Sequence, residues 1–199
     1  MLPENLLQHL IEQQEVMVIP ADTVILDFHK YIRNIPILVS GGVKVMSEDD
    51  DGHEILLYHI HPGESCIMSI LGAINQSASK VKAVTISPTE IVFIRPDQVY
   101  QLIAQDPKWF QFIMELYQTR FEELLQTVTR GNFDSVDEKV LFHLRERGAI
   151  LKSNLVPITH QNIADEIGSA REVVSRALKR MENKGIIKLM RGKVQLLDL

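Results

Sequence analysis

The spacing of apolar residues changes near Asp106, and this change limits the folds that the chain can adopt. Before it, short runs rich in β-branched residues follow one another, beginning with Val16–Ile19, Thr23–Phe28 and Ile35–Val39. The later runs of this kind are 43–46, 54–60, 81–86 and 90–94. Turn residues such as Pro62 and Gly63 separate them. Many short strands at regular spacing predict a sandwich or barrel, and the helical spacing that follows makes the whole chain α+β.

One long helix is predicted over 106–131. Asp106 supplies a hydrogen-bond acceptor at its start, Pro107 suits the first helical position, and Gly131-Asn132 marks the end. Apolar side chains recur along it at spacings of three and four, and the stripe consists of Phe110, Ile113, Tyr117, Phe121, Leu124 and Val128. Such a stripe on a long helix suits pairing with a second copy of the chain. The alternative is that the stripe covers the core of the β-domain.

Two helices joined across Gly168 form the most specific motif of the chain. A helix before them is predicted from the capping box Ser135–Glu138 to about Arg147, with Gly148 as its stop. Apolar residues then form one helical face on each side of Gly168. They are Ile163, Ala164 and Ile167 before it, and Val174, Ala177, Leu178 and Met181 after it. Two helices packed across a glycine turn are a helix-turn-helix.

The second helix of this motif carries the predicted base-reading residues. It is predicted to begin with a second capping box, Ser169–Glu172, so its first turns project Arg171, Glu172, Ser175 and Arg176 away from the packed face. The first turns of a recognition helix meet base edges in the major groove. Arg matches guanine O6 and N7, and Glu accepts from the cytosine amine. In the alternative interpretation, Glu172 only closes the capping box and the arginines form a solvated face.

Contacts to the DNA backbone are predicted on both sides of the recognition helix. Residues 185–197 are predicted to form two short strands joined by a turn at Arg191-Gly192, and together they make a small wing. The predicted backbone-contacting residues are Thr159, His160, Gln161, Ser169, Lys179, Arg191 and Lys193. Arg180 is expected to hold phosphate with Lys179.

The distribution of charge supports a nucleic-acid partner although the chain as a whole is acidic, with a net charge of −5. Residues 134–199 contain 12 Lys and Arg against 9 Asp and Glu, a net +3, which leaves −8 for residues 1–133. From Gly168 onward the balance is 8 against 3, a net +5. The N-terminal segment lacks the features of a secretory signal and no apolar run suits a membrane span, so we expect a cytoplasmic protein without a membrane partner.

The whole chain resembles the Crp/Fnr family of bacterial regulators, and the segment Gly168–Arg176 is close to that family's recognition-helix signature. The resemblance implies a double-stranded β-helix (a jelly-roll-like β-roll) as sensor domain over 1–105, a dimerisation helix over 106–131 and a winged helix-turn-helix over 132–199. It matches Arg171, Glu172 and Arg176 to base-reading positions, and Ser175 to the additional reader of the Fnr-like branch. It also implies a homodimer on a palindromic operator and RNA polymerase as a further partner.

The sensor domain departs from the patterns of this family. Cyclic-nucleotide binders share a Gly-Glu pair, matched here by Gly63-Glu64, and an arginine about ten residues later that grips the phosphate. No arginine occurs between Arg33 and Arg95, so we do not expect a cyclic nucleotide. The chain has one cysteine, Cys66, and therefore lacks a cluster for an iron–sulfur centre.

Three interpretations of Cys66 stay open at this point. Carbon monoxide sensors of the family place a haem-ligating cysteine in the same loop, so Cys66 is a candidate haem ligand. It is also a candidate reactive thiol, if nearby cations lower its pKa. The third interpretation is a small buried cysteine without a sensing role. A different small ligand as the signal is a separate alternative.

We therefore expect a sequence-specific transcription regulator with an unidentified effector. The competing hypothesis is a haem- or ligand-binding sensor protein with only weak, nonspecific DNA binding. An enzyme has no support, because the sequence contains no nucleophile–base pairing, phosphate loop or metal-ligand helix.

Overall fold

The computed structural model describes residues 1–49, 52–130 and 135–197, with residues 126–130 described by their backbone alone. The chain divides into two compact units. One comprises Met1–Ser47 with Leu57–Thr127, and the other comprises Glu48–Leu56 with Val128–Leu199. The end that we predicted for the long helix, Gly131-Asn132, lies outside the described residues.

Two antiparallel sheets form the β-roll. Its strands are β1 (Val16–Ile19), β2 (Val24–Leu26), β3 (Ile35–Ser40), β4 (Val43–Glu48), β5 (Glu54–Ile60), β6 (Lys82–Thr85) and β7 (Thr89–Ile94). One sheet has the order β1-β7-β3, with Val16 opposite Val92 and Ile37 opposite Val92 on the other side. The second sheet has the order β2-β6-β4-β5. The predicted strands and the predicted fold class are confirmed.

Alternation along β3 divides the core of the β-roll. Ile35 and Ile37 point into a cluster formed with the surrounding helices. Leu38, on the opposite side of the strand, packs with Val45 of β4 and Ala83 of β6, both fully buried. The period of two thus places one row of β3 between the sheets and the other row under the helices.

Four helices accompany the β-roll, and three of them were not predicted. These helices are α1 (Glu4–Gln13), α2 (Ile67–Ile74), α3 (Pro96–Gln105) and α4 (Lys108–Arg130). Only α4 corresponds to the predicted long helix. The helix α2 has buried residues on most sides, including Ile67, Ile70 and Ala73, so it offers no polar face from which a helical period can be recognised.

The helix α4 begins where we predicted. The Asp106 carboxylate accepts from the Lys108 backbone N–H at 2.9 Å. One side of α4 packs into the helical cluster through Trp109, Phe112 and Leu116. Ile113 is half-buried against the same cluster.

The second unit is a three-helix domain with a small sheet. Its elements are α5 (Val136–Leu151), β8 (Leu155–Val156), α6 (His160–Ile167), α7 (Arg171–Asn183), β9 (Ile187–Met190) and β10 (Lys193–Leu196). The sheet order is β8-β10-β9, so the predicted two-stranded wing has a third strand. The capping box at Ser135 is confirmed, because the Ser135 side chain accepts from the Glu138 N–H and Glu138 bonds back.

The prediction that Gly148 stops α5 is wrong. The helix continues to Leu151 and ends at Lys152, whose φ is +48°. Gly148 is buried instead, and a Cβ placed there would lie 3.1 Å from the Ser153 carbonyl oxygen and 3.2 Å from Cδ1 of Leu196. The glycine serves close packing of α5 against the end of β10, which overrides its low helix propensity. Among the described residues, no helix combines the length and the apolarity that a membrane span requires.

Candidate nucleic-acid interface and sensor loop

The helices α6 and α7 form the predicted helix-turn-helix. The Thr159 side chain caps α6 by accepting from the Asn162 N–H at 3.1 Å. Gly168 adopts a φ of +64°, a conformation that favours glycine, and its turn redirects the chain into α7. The buried faces meet as predicted, with Ile163, Ala164, Val174, Ala177 and Leu178 all fully enclosed.

The predicted capping box at Ser169–Glu172 is wrong. Ala170 is the N-cap of α7, and no side chain caps this helix. The Ser169 N–H is used by the preceding turn, where it donates to the Ala164 carbonyl at 2.9 Å. This Schellman-type closure moves the start of α7 one residue along the chain. Glu172 is therefore not a capping partner, and its carboxylate lies exposed in the first turn of α7.

The first turns of α7 present a polar face to solvent. Arg171, Glu172 and Arg176 are exposed, while Val174 on the opposite side is fully buried. Nε of Arg176 donates to the Glu172 carbonyl oxygen at 3.4 Å. Ser175 is half-buried, and its Oγ lies 2.9 Å from Nδ1 of His160. The predicted base readers therefore share one face of one helix.

Several predicted backbone-contacting residues have partners within the chain. The Gln161 amide donates to the Asp165 carboxylate at 2.6 Å, and the Lys179 ammonium pairs with Glu182 at 2.7 Å. This ion pair, with the Leu189 N–H, holds the pKa of the Glu182 carboxyl below its ordinary value. Arg191 is exposed at the wing turn, and Lys193 is half-buried at the start of β10.

We expected Arg180 to contact phosphate, but in the structure its side chain is engaged within the protein. It forms a bidentate ion pair with Asp137 of α5, in which Nε of Arg180 lies 3.1 Å from Oδ2. This hydrogen bond lowers the pKa of the Asp137 carboxyl. The pair fastens α7 to α5.

A buried ionic cluster beneath the helix-turn-helix was not predicted. The Glu166 carboxylate lies 3.0 Å from Nε2 of His143 and 3.6 Å from a guanidinium nitrogen of Arg147. Glu166 and His143 are each 4% exposed. The sequence did contain a signal, since Glu166 follows Ile163 by three residues and therefore lies on the buried face of α6.

The loop between β5 and α2 places a second buried ion pair at the β-roll. Gly63 has a φ of +78°, and the next residue, Glu64, accepts from the His61 N–H at 3.1 Å. The same carboxylate receives a hydrogen bond from the Arg120 guanidinium of α4 at 2.8 Å. Arg120 and Glu64 are only 11% and 15% exposed. Arg120 also stacks on the Tyr58 ring, 4.4 Å from its centroid.

Two family models match this chain in the order of its architecture. The cyclic nucleotide-binding domain matches residues 16–106, and the Crp-like helix-turn-helix domain matches residues 139–199. The chain belongs to the Crp/Fnr family of transcriptional regulators. This family consists of DNA-binding regulators rather than enzymes.

Curated relatives and solved structures agree with this assignment. The nitrogen fixation regulation protein FixK of Bradyrhizobium diazoefficiens is 31% identical over 156 residues, which cover 74% of this chain and 63% of that protein. The cAMP-activated global transcriptional regulator CRP of Haemophilus influenzae is 24% identical over 84% of this chain and 77% of its own length. The c-di-GMP responsive global regulator CLP of Xanthomonas campestris has the same fold, with a TM-score of 0.81 at 19% identity, covering 99% of this chain and 100% of that chain.

The residues at the sensor loop of this Crp/Fnr protein differ from those that we expected of a cyclic-nucleotide binder. Its Glu64 carboxylate is already bonded to Arg120 and to the loop backbone. Residues 76–82, which follow α2, offer Lys80 and Lys82 but no arginine, so the fork that grips a phosphate is missing there.

Cys66 does not fit a haem ligand either. The residue is fully buried among apolar side chains, and its Sγ lies 3.6 Å from the Tyr58 hydroxyl. The pKa of the Tyr58 phenol is raised, mainly because the group is buried and secondly because of the electrostatic effect of Cys66. The phenol therefore stays protonated. A haem thiolate needs the iron directly on the sulfur, and the sulfur is enclosed by protein. Within the described ranges, no group of three His, Cys, Asp or Glu side chains is placed to hold a metal ion.

Proposed function

We propose that the chain is a homodimeric transcription regulator that reads a two-fold symmetric operator through α7. The observation that carries this proposal is the exposure of Arg171, Glu172 and Arg176 on one face of α7, opposite a fully buried face. Arg offers a donor fork to guanine, and Glu accepts from cytosine. With its carboxylate released from helix capping, Glu172 is available for this role.

We further propose that backbone contacts flank these readers. The exposed Arg191 at the wing turn and Lys193 beside it supply positive charge on one side. Thr159, Gln161 and Ser169 lie at the start of α6 and before α7, where backbone N–H groups and a helix dipole favour a phosphate. Lys179 completes the set from the solvent face of α7.

The second copy in the dimer is proposed to pack along α4. Phe110, Tyr117, Phe121 and Leu124 are each about half exposed, between 48% and 57%, although they are large and apolar. The rings of Tyr117 and Phe121 are stacked, with centroids 6.3 Å apart, so they form a continuous surface. Ile113 packs inward and lies outside this surface. Val128 lies in α4, and its side chain is outside the described residues. An exposed apolar row on a long helix is typical of a dimer seam, and it argues against the stripe as a cover for the β-core.

The signal at the β-roll is proposed not to be a cyclic nucleotide. The regulator from Haemophilus influenzae is named as cAMP-activated and the one from Xanthomonas campestris as c-di-GMP responsive, so this fold serves more than one signal. Glu64, which the family resemblance matches to the Gly-Glu pair of cyclic-nucleotide binders, is here bonded to Arg120. RNA polymerase is the further partner that transcriptional control would require.

The experiment that tests this proposal is selection from a randomised DNA pool by the purified chain at near-physiological salt. Light scattering and an absorption spectrum on the same sample report oligomeric state and haem. We expect a dimer, an enriched two-fold site with half-sites about 34–36 Å apart, and no Soret band. Uniform, steeply salt-dependent binding with a Soret band would favour the competing hypothesis of a haem sensor that binds DNA nonspecifically.

A further inference from the structure

We infer that His160 is a positioning residue that fixes the hydroxyl of Ser175 and thereby restricts which bases Ser175 can recognise. This inference rests on the proposed role of α7 in reading DNA. It assigns His160 a part in sequence specificity, whereas the sequence alone suggested a contact to the DNA backbone.

The geometry brings the two residues together from different helices. His160 is the first residue of α6, and Ser175 is the fifth residue of α7. Nδ1 of His160 lies 2.9 Å from Oγ of Ser175, which is hydrogen-bonding distance. Both side chains are half-buried, so each keeps part of its surface on the solvent side of the motif.

The chemistry of a hydroxyl explains why this contact affects recognition. A free serine hydroxyl rotates and can either donate to a base or accept from one, so it discriminates poorly. If Nδ1 of His160 accepts the hydroxyl proton, Oγ of Ser175 is left as an acceptor for the amines of adenine or cytosine. If Nδ1 donates, the hydroxyl proton is left for the acceptors of guanine or thymine. With Nδ1 as acceptor, Ser175 therefore presents only an acceptor to DNA. With Nδ1 as donor, one of the two lone pairs of Oγ is occupied and the hydroxyl proton is directed away from the imidazole.

The surroundings of Ser175 make the restriction useful. Glu172 and Arg176, which flank Ser175 on the exposed face, each have a fixed sense, because a carboxylate only accepts and a guanidinium only donates. Ser175 is the single proposed reader whose sense is not fixed by its own chemistry. The contact with His160 supplies what the side chain lacks.

The test measures base preference with the full-length protein. Starting from the operator selected by the wild-type chain, each base pair is replaced in turn by the other three, and the Kd of every duplex is determined. The variant Ser175→Ala identifies the base pair that Ser175 reads. We expect His160→Phe to reduce discrimination at that base pair by about five-fold, the value of one ordinary hydrogen bond, and to leave the other positions unchanged. The double variant, which combines His160→Phe with Ser175→Ala, should discriminate at that base pair no less than Ser175→Ala alone.

A conservative variant and a stability measurement guard the interpretation. Asparagine places an amide group near the position of Nδ1, so His160→Asn should retain most of the discrimination that His160→Phe loses. Thermal unfolding of each variant checks that the domain is intact. Equal weakening on every duplex with a smaller salt slope would show that His160 contacts phosphate, and it would overturn the inference. Additive effects in the double variant, or equal losses with Phe and Asn, would also overturn it. Failure of the wild-type chain to select any site would instead count against the proposed function.

Discussion

Charged residues are largely buried and paired at the sensor loop, whereas those at the start of the recognition helix are exposed to solvent. At the loop, Glu64 and Arg120 are almost enclosed and bond to each other. At the start of α7, Arg171, Glu172 and Arg176 are left in solvent. A buried charge needs a partner within the protein, whereas an exposed charge is solvated by water and stays available to bind another molecule. The difference indicates that the first pair contributes to the fold and that the second group contributes to binding.

The largest expected effect is on the enclosed pair. Replacement of Glu64 by Gln removes the enclosed carboxylate partner of the buried Arg120 guanidinium, and we expect the first unit to lose about 3 kcal/mol of stability. The measurement is urea denaturation of the full chain. Glu123→Gln is the matched control, because Glu123 pairs with the same arginine but is 45% exposed, and it should cost less than about 1 kcal/mol. Equal losses in the two variants would remove the distinction between the enclosed and exposed partners.

The next effect concerns binding and not stability. Arg176→Ala should weaken binding to the preferred operator by about 1–3 kcal/mol and relax the preference at one base pair, while the unfolding midpoint stays unchanged. Titration of operator variants measures both quantities. A loss of folding stability in this variant would show that Arg176 contributes to the fold, as the enclosed charges do, and would contradict its assignment as a base reader.

A smaller effect is expected at the wing. Arg191→Ala should weaken binding to all DNA sequences alike by up to about 1 kcal/mol, because an exposed cation neutralises phosphate without reading a base. The slope of log K against log salt should decrease by about 0.9. If one sequence were affected more than the others, Arg191 would be a base reader.

The smallest effect is expected at an exposed pair inside the DNA-binding unit. The bond from Arg180 lowers the pKa of Asp137 below its ordinary 3.8, so the pair stabilises the fold above that pH. This stabilisation is lost as the pH falls through the lowered pKa. Asp137→Asn should therefore be slightly less stable than the wild type at neutral pH and equal to it in strong acid. A difference that persisted in acid would point to a cause other than the ion pair.

Local signals explain why the second unit was largely predictable. The capping box at Ser135, the turn at Gly168 and the spacing of Val174 and Leu178 act within a few residues of the sequence. Two of the errors there, at Gly148 and Ser169, arose because contacts beyond the neighbouring residues of the sequence determine the structure at these positions. The space beside Leu196 accounts for Gly148, and the hydrogen bond to the Ala164 carbonyl accounts for Ser169.

The first unit was predictable in its strands and less so in its helices. The helix α2 consists almost entirely of apolar residues, so the sequence shows no polar face that would mark a helical period. The ion pair between Glu64 and Arg120 joins residues 56 positions apart, and no spacing rule connects them. The same applies to the contact between His160 and Ser175, whose residues could be assigned to helices but not to each other.

The chain has a single tryptophan, Trp109, and it is 5% exposed in the core of the first unit, in edge-to-face contact with Phe112. Tryptophan fluorescence therefore monitors that unit alone. The winged domain has no tryptophan and no tyrosine in its described helices and strands from α5 onward, so it gives no signal in this measurement. Circular dichroism follows both. Two unfolding curves that fail to superimpose would mean that the halves of this regulator melt independently, and each could then be studied in the presence of the other without being separated.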